Sequence, residues 1–130
     1  MIGYVTIGTD DLEGARAFYS GLLAEIGAKE LMRMEHGFTM YGTSFGQPAL
    51  ALTPPYNGEA AHPGNGNMIA IPLKERAQVD ALHAKALALG GSCDGPPGIR
   101  GEEGPQAFYG AYFRDPEGHK ICAFRVGPAS

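Results

Sequence analysis

The side chains of this chain that titrate nearest neutral pH and could also ligate a metal are four histidines and two cysteines, beside fourteen carboxylates and with six tyrosines as weaker acids. His36 and His119 fall at expected hairpin turns, His62 in a Pro- and Gly-rich connector, and His83 on a helix; no two share the short spacing of a ligand pair. Cys93 and Cys122 are too few for a disulfide scaffold and stand in the wrong company for zinc, so they read as two buried, reduced thiols. His62, beside Pro63, is the histidine kept as a ligand contact or acid/base candidate, because connecting loops often carry function. Arg33, Arg100 and Arg114 offer charge to an anionic ligand, with solvated surface as the ordinary alternative.

The elements that must position these residues are written twice. A shift of 64 positions lays Tyr4-Val5-Thr6-Ile7 on Met68-Ile69-Ala70-Ile71, Phe18 on Leu82 and Gly27 on Gly91. Two copies make no solenoid but imply one domain of two similar halves. In each strand alternate side chains face opposite ways, so Val5 and Ile7, with Ile69 and Ile71, belong beneath a helix, while Tyr4 and Thr6, with Met68 and Ala70, take the other face. The first helix has Asp10 as its expected N-cap with Glu13 at capping-box spacing, an apolar stripe of Leu12, Ala15, Tyr19, Leu22, Leu23 and Ile26, and Gly27 as its stop. The second starts near Glu75, with Val79, Leu82, Ala86 and Leu87 on its stripe and His83 as a partly buried packing residue, and ends at Gly90-Gly91.

Leu31–Met34 and Phe38–Tyr41 read as strands joined at Glu35-His36-Gly37, followed by a third at Ala49–Thr53. A short strand near Ser92–Asp94, a loop from Gly95 to Pro105, and strands over Phe108–Arg114 and His119–Val126 complete the second half. The order is βαβββ twice: a first module over about residues 1–54, a connector over 55–66 and a second module over 67–126. Asp115-Pro116-Glu117-Gly118 suits a type I turn. If Asp115 faces His119, then Tyr112 lies across from Cys122 and shares its face.

At 130 residues the chain can bury roughly 65 to 70% of its unfolded surface in one core. Net charge is −4 with scattered basic residues, which argues against nucleic acid as a partner. No apolar run approaches a membrane span and no basic leader precedes the first strand, so a cytoplasmic location is expected.

The twofold plan, the opening Tyr4-Val5-Thr6-Ile7 with Asp11-Leu12 and Ala17-Phe18-Tyr19, and above all Asp115-Pro116-Glu117-Gly118-His119-Lys120-Ile121 resemble the vicinal oxygen chelate superfamily. That superfamily includes glyoxalase I, extradiol dioxygenases, fosfomycin resistance enzymes and bleomycin resistance proteins. The resemblance covers nearly the whole chain. It implies an α+β fold whose two modules form a curved mixed sheet around a cup, helices outside, with a small molecule in the cup or at the interface of a homodimer. Fold alone does not fix the activity.

In metal-dependent members four inner-face positions carry the ligands, typically His or Glu. Through the motifs these fall on Tyr4, Ala51, Met68 and Cys122, none of which suits a hard or borderline divalent ion. No metal or other cofactor is therefore expected. The resemblance then implies a pocket bounded by Tyr4, Met68, Tyr112, Cys122 and His62, of the kind that holds an organic molecule without turnover. A metal-dependent lyase of the lactoylglutathione lyase type, or a dioxygenase, with unconventional ligands is the alternative. Metal-free acid/base catalysis by Tyr4, Tyr112 or His62 is a third reading, weakened because an ordinary tyrosine is a poor base at neutral pH.

Overall fold

A computed structural model describes residues 1–129. The elements are β1 (Tyr4–Gly8), α1 (Leu12–Ala24), β2 (Lys29–Arg33), β3 (Thr39–Gly42), β4 (Ala49–Thr53), β5 (Ile69–Pro72), α2 (Arg76–Ala88), β6 (Ser92–Arg100), β7 (Phe108–Arg114) and β8 (Lys120–Val126). The fold is α+β, with βαβββ realised twice. The chain forms two compact units, the first closing at Pro63 and the second opening at Gly64. Each unit has its own four-stranded mixed sheet, ordered β1-β4-β3-β2 and β5-β8-β7-β6. In both, the first strand pairs in parallel with the last, and the remaining pairs are antiparallel. Among the described residues no helix is long and apolar enough to cross a membrane.

The repeat is metric as well as topological, since the bounds of α1 moved by 64 residues are the bounds of α2. Each helix packs a buried stripe on its own sheet: Ala15, Phe18, Tyr19, Leu22 and Leu23 in α1, and Val79, Leu82, His83 and Ala86 in α2. Beneath them lie Ile7, Leu50 and Leu52 in the first unit and Phe113, Ile121 and Ala123 in the second. Fully burying a Leu or Phe side chain contributes about 1.5–3 kcal/mol, so these stripes hold each helix to its sheet.

Several expectations are corrected. The N-cap of α1 is Asp11, whose carboxylate accepts from the Gly14 N–H at 3.0 Å. Asp10 instead accepts from the Ala61 N–H at 2.9 Å, tying the segment after β4 back to the helix entry, and Glu13 pairs with Arg16. In α2 the Gln78 side chain accepts from the Glu75 and Lys74 N–H groups. Leu87 points outward, 40% exposed, and His83 takes the inward place. The left-handed stop of α2 is Gly90 (φ 101°), one position earlier than the counterpart of Gly27 (φ 78°). The fifth strand begins at Ile69, so Met68 stands just ahead of it.

The largest correction is β6, which runs through the expected loop as far as Arg100. Its register against β7 shifts between Cys93 and Gly95 and again between Gly95 and Gly98. These bulges absorb Pro96 and Pro97, and β6 is an edge strand, where missing N–H donors break no further ladder. The closing hairpin follows its turn as expected. The Gly118 N–H donates to the Asp115 carbonyl at 2.9 Å, Gly118 takes φ 95°, and Tyr112 lies opposite Cys122.

Candidate functional site

In the first unit the face opposite α1 is set by register. Thr6 lies beside Ala51, Ala51 beside Met40, and Met40 beside Met32. Tyr4 stands next to Ala49 on the same face, 50% exposed, with its ring edge-on to Phe38 at 5.8 Å. Ala51 is wholly covered. A cleft of about 240 Å³ opens here between Tyr4, Ile2, Leu31, Met40, Phe45 and Ala49. Its walls are mainly apolar and aromatic, with Tyr4, Ser44 and Gln47 as the residues that bring polar groups. Arg33 is not part of it. It pairs in register with Thr39, which α1 reaches through the Arg16 Nε, so it stands on the helix side, and Glu30 takes its guanidinium at 2.8 Å.

In the second unit the equivalent row is Ala70, Cys122, Tyr112 and Gly95. Cys122 is 1% exposed, and burial pushes its thiol up from the ordinary range, while the Tyr112 hydroxyl and the Arg100 and Lys120 charges pull against that shift. The Tyr112 ring is flanked by two cations, Lys120 Nζ at 5.1 Å and Arg100 Cζ at 5.5 Å from its centroid. Gly95 makes this packing feasible, since a Cβ there would come within 2.9 Å of the Tyr112 ring and 3.4 Å of the Arg100 guanidinium. One row further along, Arg114 and Lys120 lie directly opposite each other. Asp94 bridges them, at 3.2 Å from Arg114 Nε and 3.3 Å from Lys120 Nζ. These two cations hold the Asp94 carboxyl below its usual range, Lys120 foremost. Beside them is a cleft of about 320 Å³ whose wall includes Asn65, Asn67, Met68, Arg114 and Lys120.

Of the residues singled out from sequence, Tyr112 and Cys122 are thus direct neighbours, Met68 borders the cationic cleft at 46% exposure, and Tyr4 borders the apolar cleft of the other unit. His62 is exposed in the segment between β4 and β5. Lys120 and Asp94 were not foreseen, although the register that pairs Tyr112 with Cys122 also pairs Arg114 with Lys120. The expectation of two buried thiols fails for Cys93, which is exposed on edge strand β6. Its sulfur lies 3.3 Å from His83 Nε2, and burial holds the His83 imidazole below its ordinary range, against the pull of Asp80.

The positions onto which the resemblance carries the metal ligands offer, in the first unit, a phenol at Tyr4 and a methyl group at Ala51. In the second they offer a thioether at Met68 and a buried thiol at Cys122 that is harder to ionise than usual. A borderline divalent ion such as zinc is held by thiolate, neutral imidazole or carboxylate donors, and these four residues supply no set of them. Among the described residues no three His, Cys, Asp or Glu side chains are grouped closely enough to hold an ion. The two faces instead present one apolar and one cationic cleft.

A family model described as Glyoxalase/Bleomycin resistance protein/Dioxygenase superfamily matches residues 1–123. A glyoxalase/bleomycin resistance protein from Albidiferax ferrireducens T118 is 35% identical, with a TM-score of 0.83 over 96% of this chain and 98% of that one. The hypothetical protein SA1046 from S. aureus is 23% identical, with a TM-score of 0.73 over 97% of this chain and 93% of its own. A lactoylglutathione lyase from Agrobacterium tumefaciens is 20% identical, with a TM-score of 0.64 over 96% and 92%. The last two likenesses concern the fold alone. No curated protein matches the chain. With a family model matched over nearly its whole length and a relative at 35% identity, the chain belongs to the glyoxalase/bleomycin resistance protein/dioxygenase superfamily.

Proposed function

We propose that this protein binds a small organic molecule on the sheet faces opposite its helices, without a metal ion, and acts by holding that molecule. The observation that carries the reading is the exchange of ligand-type side chains for Tyr4, Ala51, Met68 and Cys122 on faces that keep open clefts of about 240 and 320 Å³. These residues offer no set of metal ligands to hold a Lewis acid that would grip a vicinal diol, whereas apolar walls with a few placed polar groups suit binding. Exposed Ile2, Tyr4 and Phe45 around the first unit's cleft support a homodimer that covers part of that apolar surface. Two free thiols fit a reducing compartment, and we assign the protein to the cytoplasm.

The test pairs elemental analysis with equilibrium binding. Tag-free protein is incubated with nickel, zinc, iron or manganese, desalted, and titrated with a panel of hydrophobic organic compounds with and without chelator. The expected result is substoichiometric metal with every ion and saturable binding that chelator leaves unchanged. Near-stoichiometric metal, with turnover of hemithioacetals or catechols that chelation abolishes, would replace this reading by a metal-dependent lyase or dioxygenase. Sedimentation velocity at micromolar concentration should give a dimer, and a monomer would remove that part.

A further inference from the structure

We infer that the molecule held on the second unit's face is a small organic anion, its carboxylate seated beside Lys120 and Arg114 and its apolar body against Met68. This rests on the reading of that face as a binding site and adds the charge of the ligand.

The argument begins with an imbalance. On a chain of net charge −4, three cations gather on one face of a single sheet. Arg114 and Lys120 are placed directly opposite each other on neighbouring strands, an arrangement in which like charges destabilise the pair. Asp94 bridges both but offsets only one of the two charges. Arg100 adds a third. Its Nη1 and Nη2 donate to the Gly98 carbonyl at 2.9 Å and the Pro96 carbonyl at 2.8 Å, acceptors that carry no formal charge. Asp94 is ion-paired with two of the three.

The surplus borders a usable space. Arg114 and Lys120 line the cleft of about 320 Å³ together with the amides of Asn65 and Asn67 and the thioether of Met68. A carboxylate attached to an apolar body uses every part of that wall: charge against the cations, hydrogen bonds with the amides, and dispersion with the adaptable thioether. A cationic ligand meets repulsion there, and a neutral one leaves the surplus uncompensated. The first unit offers no such surplus, because its cleft is apolar and Arg33 is paired with Glu30 away from it.

The experiment is isothermal titration of the intact protein with three ligands of one ring system, naphthoate, naphthamide and naphthylmethylammonium. Naphthoate should bind about tenfold or more tighter than the amide, with the ammonium weakest, as expected for one charge-assisted contact in a half-exposed cleft. Lys120→Gln should erase the advantage of the carboxylate, Lys120→Arg should keep it, and Arg33→Gln should leave it unchanged. Asp94→Asn, which removes the competing carboxylate, should enlarge it. If Lys120→Gln proves unfolded by circular dichroism, the ligand series on native protein and the Asp94→Asn comparison still decide. Equal binding of naphthoate and naphthamide, or an advantage that survives Lys120→Gln, overturns the inference while leaving the binding face in place. No binding by any of the three overturns both.

Discussion

The two units share a ladder and differ in what they hang on it. In each, a parallel outer pair and two antiparallel pairs build one sheet, with a helix of matched length on one face. On the opposite face, Tyr4, Met40 and Phe45 border the cleft of the first unit, while Arg114, Lys120 and Met68 border that of the second. The helix-to-sheet links also differ. Arg16 of α1 donates to Thr39 and to the Gly37 carbonyl, whereas Asp80, at the same place in α2, accepts from the Tyr109 hydroxyl at 2.7 Å. The comparison teaches that the buried stripe sets the frame, while the exposed part of the opposite face, beyond the covered Ala51 and Cys122, takes a different chemistry in each unit.

That comparison can be broken at several points. The largest effects belong to the shared frame. Phe18→Ala and Leu82→Ala delete equivalent buried side chains and should each cost about 2–5 kcal/mol in urea unfolding. Tolerance of one but not the other would mean that the two stripes are not equivalent. Next come the differing links. Arg16→Ala leaves partners at the buried Thr39 and should cost about 1–3 kcal/mol, more than the roughly 0.5–1 kcal/mol expected for Asp80→Ala at an exposed pair. The reverse order would contradict the account of how each helix is tied down.

A third test uses His83, which stands where α1 has Tyr19. Burial depresses the folded-state pKa of His83, so the unfolded chain binds more protons as pH falls through the ordinary histidine range near about 6.5. Its contribution is therefore fully present above that range and is lost as pH drops toward the folded-state value. Denaturation midpoints measured from neutral to mildly acidic pH should fall, and His83→Gln should flatten the part of the decline in that window. An unchanged profile would place His83 in water rather than under α2. The smallest effect is Glu13→Ala, which removes an exposed partner of Arg16 and should change stability by no more than about 0.5 kcal/mol.

Much of the frame was legible because it rests on periodicity and on a turn. The shift that lays Tyr4 on Met68 also lays α1 on α2, and Asp115-Pro116-Glu117-Gly118 fixed the pairing of Tyr112 with Cys122. The turn holds because the buried Asp115 carboxylate accepts from the Glu117 and His119 N–H groups at 3.0 and 2.9 Å. Strand β6 was illegible beyond Asp94, because Pro96 and Pro97 signal a loop unless the strand is known to be an edge with bulges, and edge position is a tertiary fact. The choice between Asp10 and Asp11 as cap turned on a partner 51 residues away, Ala61, which local sequence does not announce. On the candidate face, parity gave the facing of Tyr4 and Cys122, but not the reach of Arg100 across Gly95 to the Tyr112 ring, which depends on side-chain path.

The central claim is that these faces bind an organic molecule without a metal. Its most direct measurement is a methyl NMR titration of methionine-labelled protein with naphthoate in the presence of chelator. The account predicts that the Met68 signal moves along one saturable isotherm while that of Met34, exposed just beyond β2, stays in place. A Met68 signal that is unmoved under chelator, and moves only after a divalent ion is restored, would contradict it.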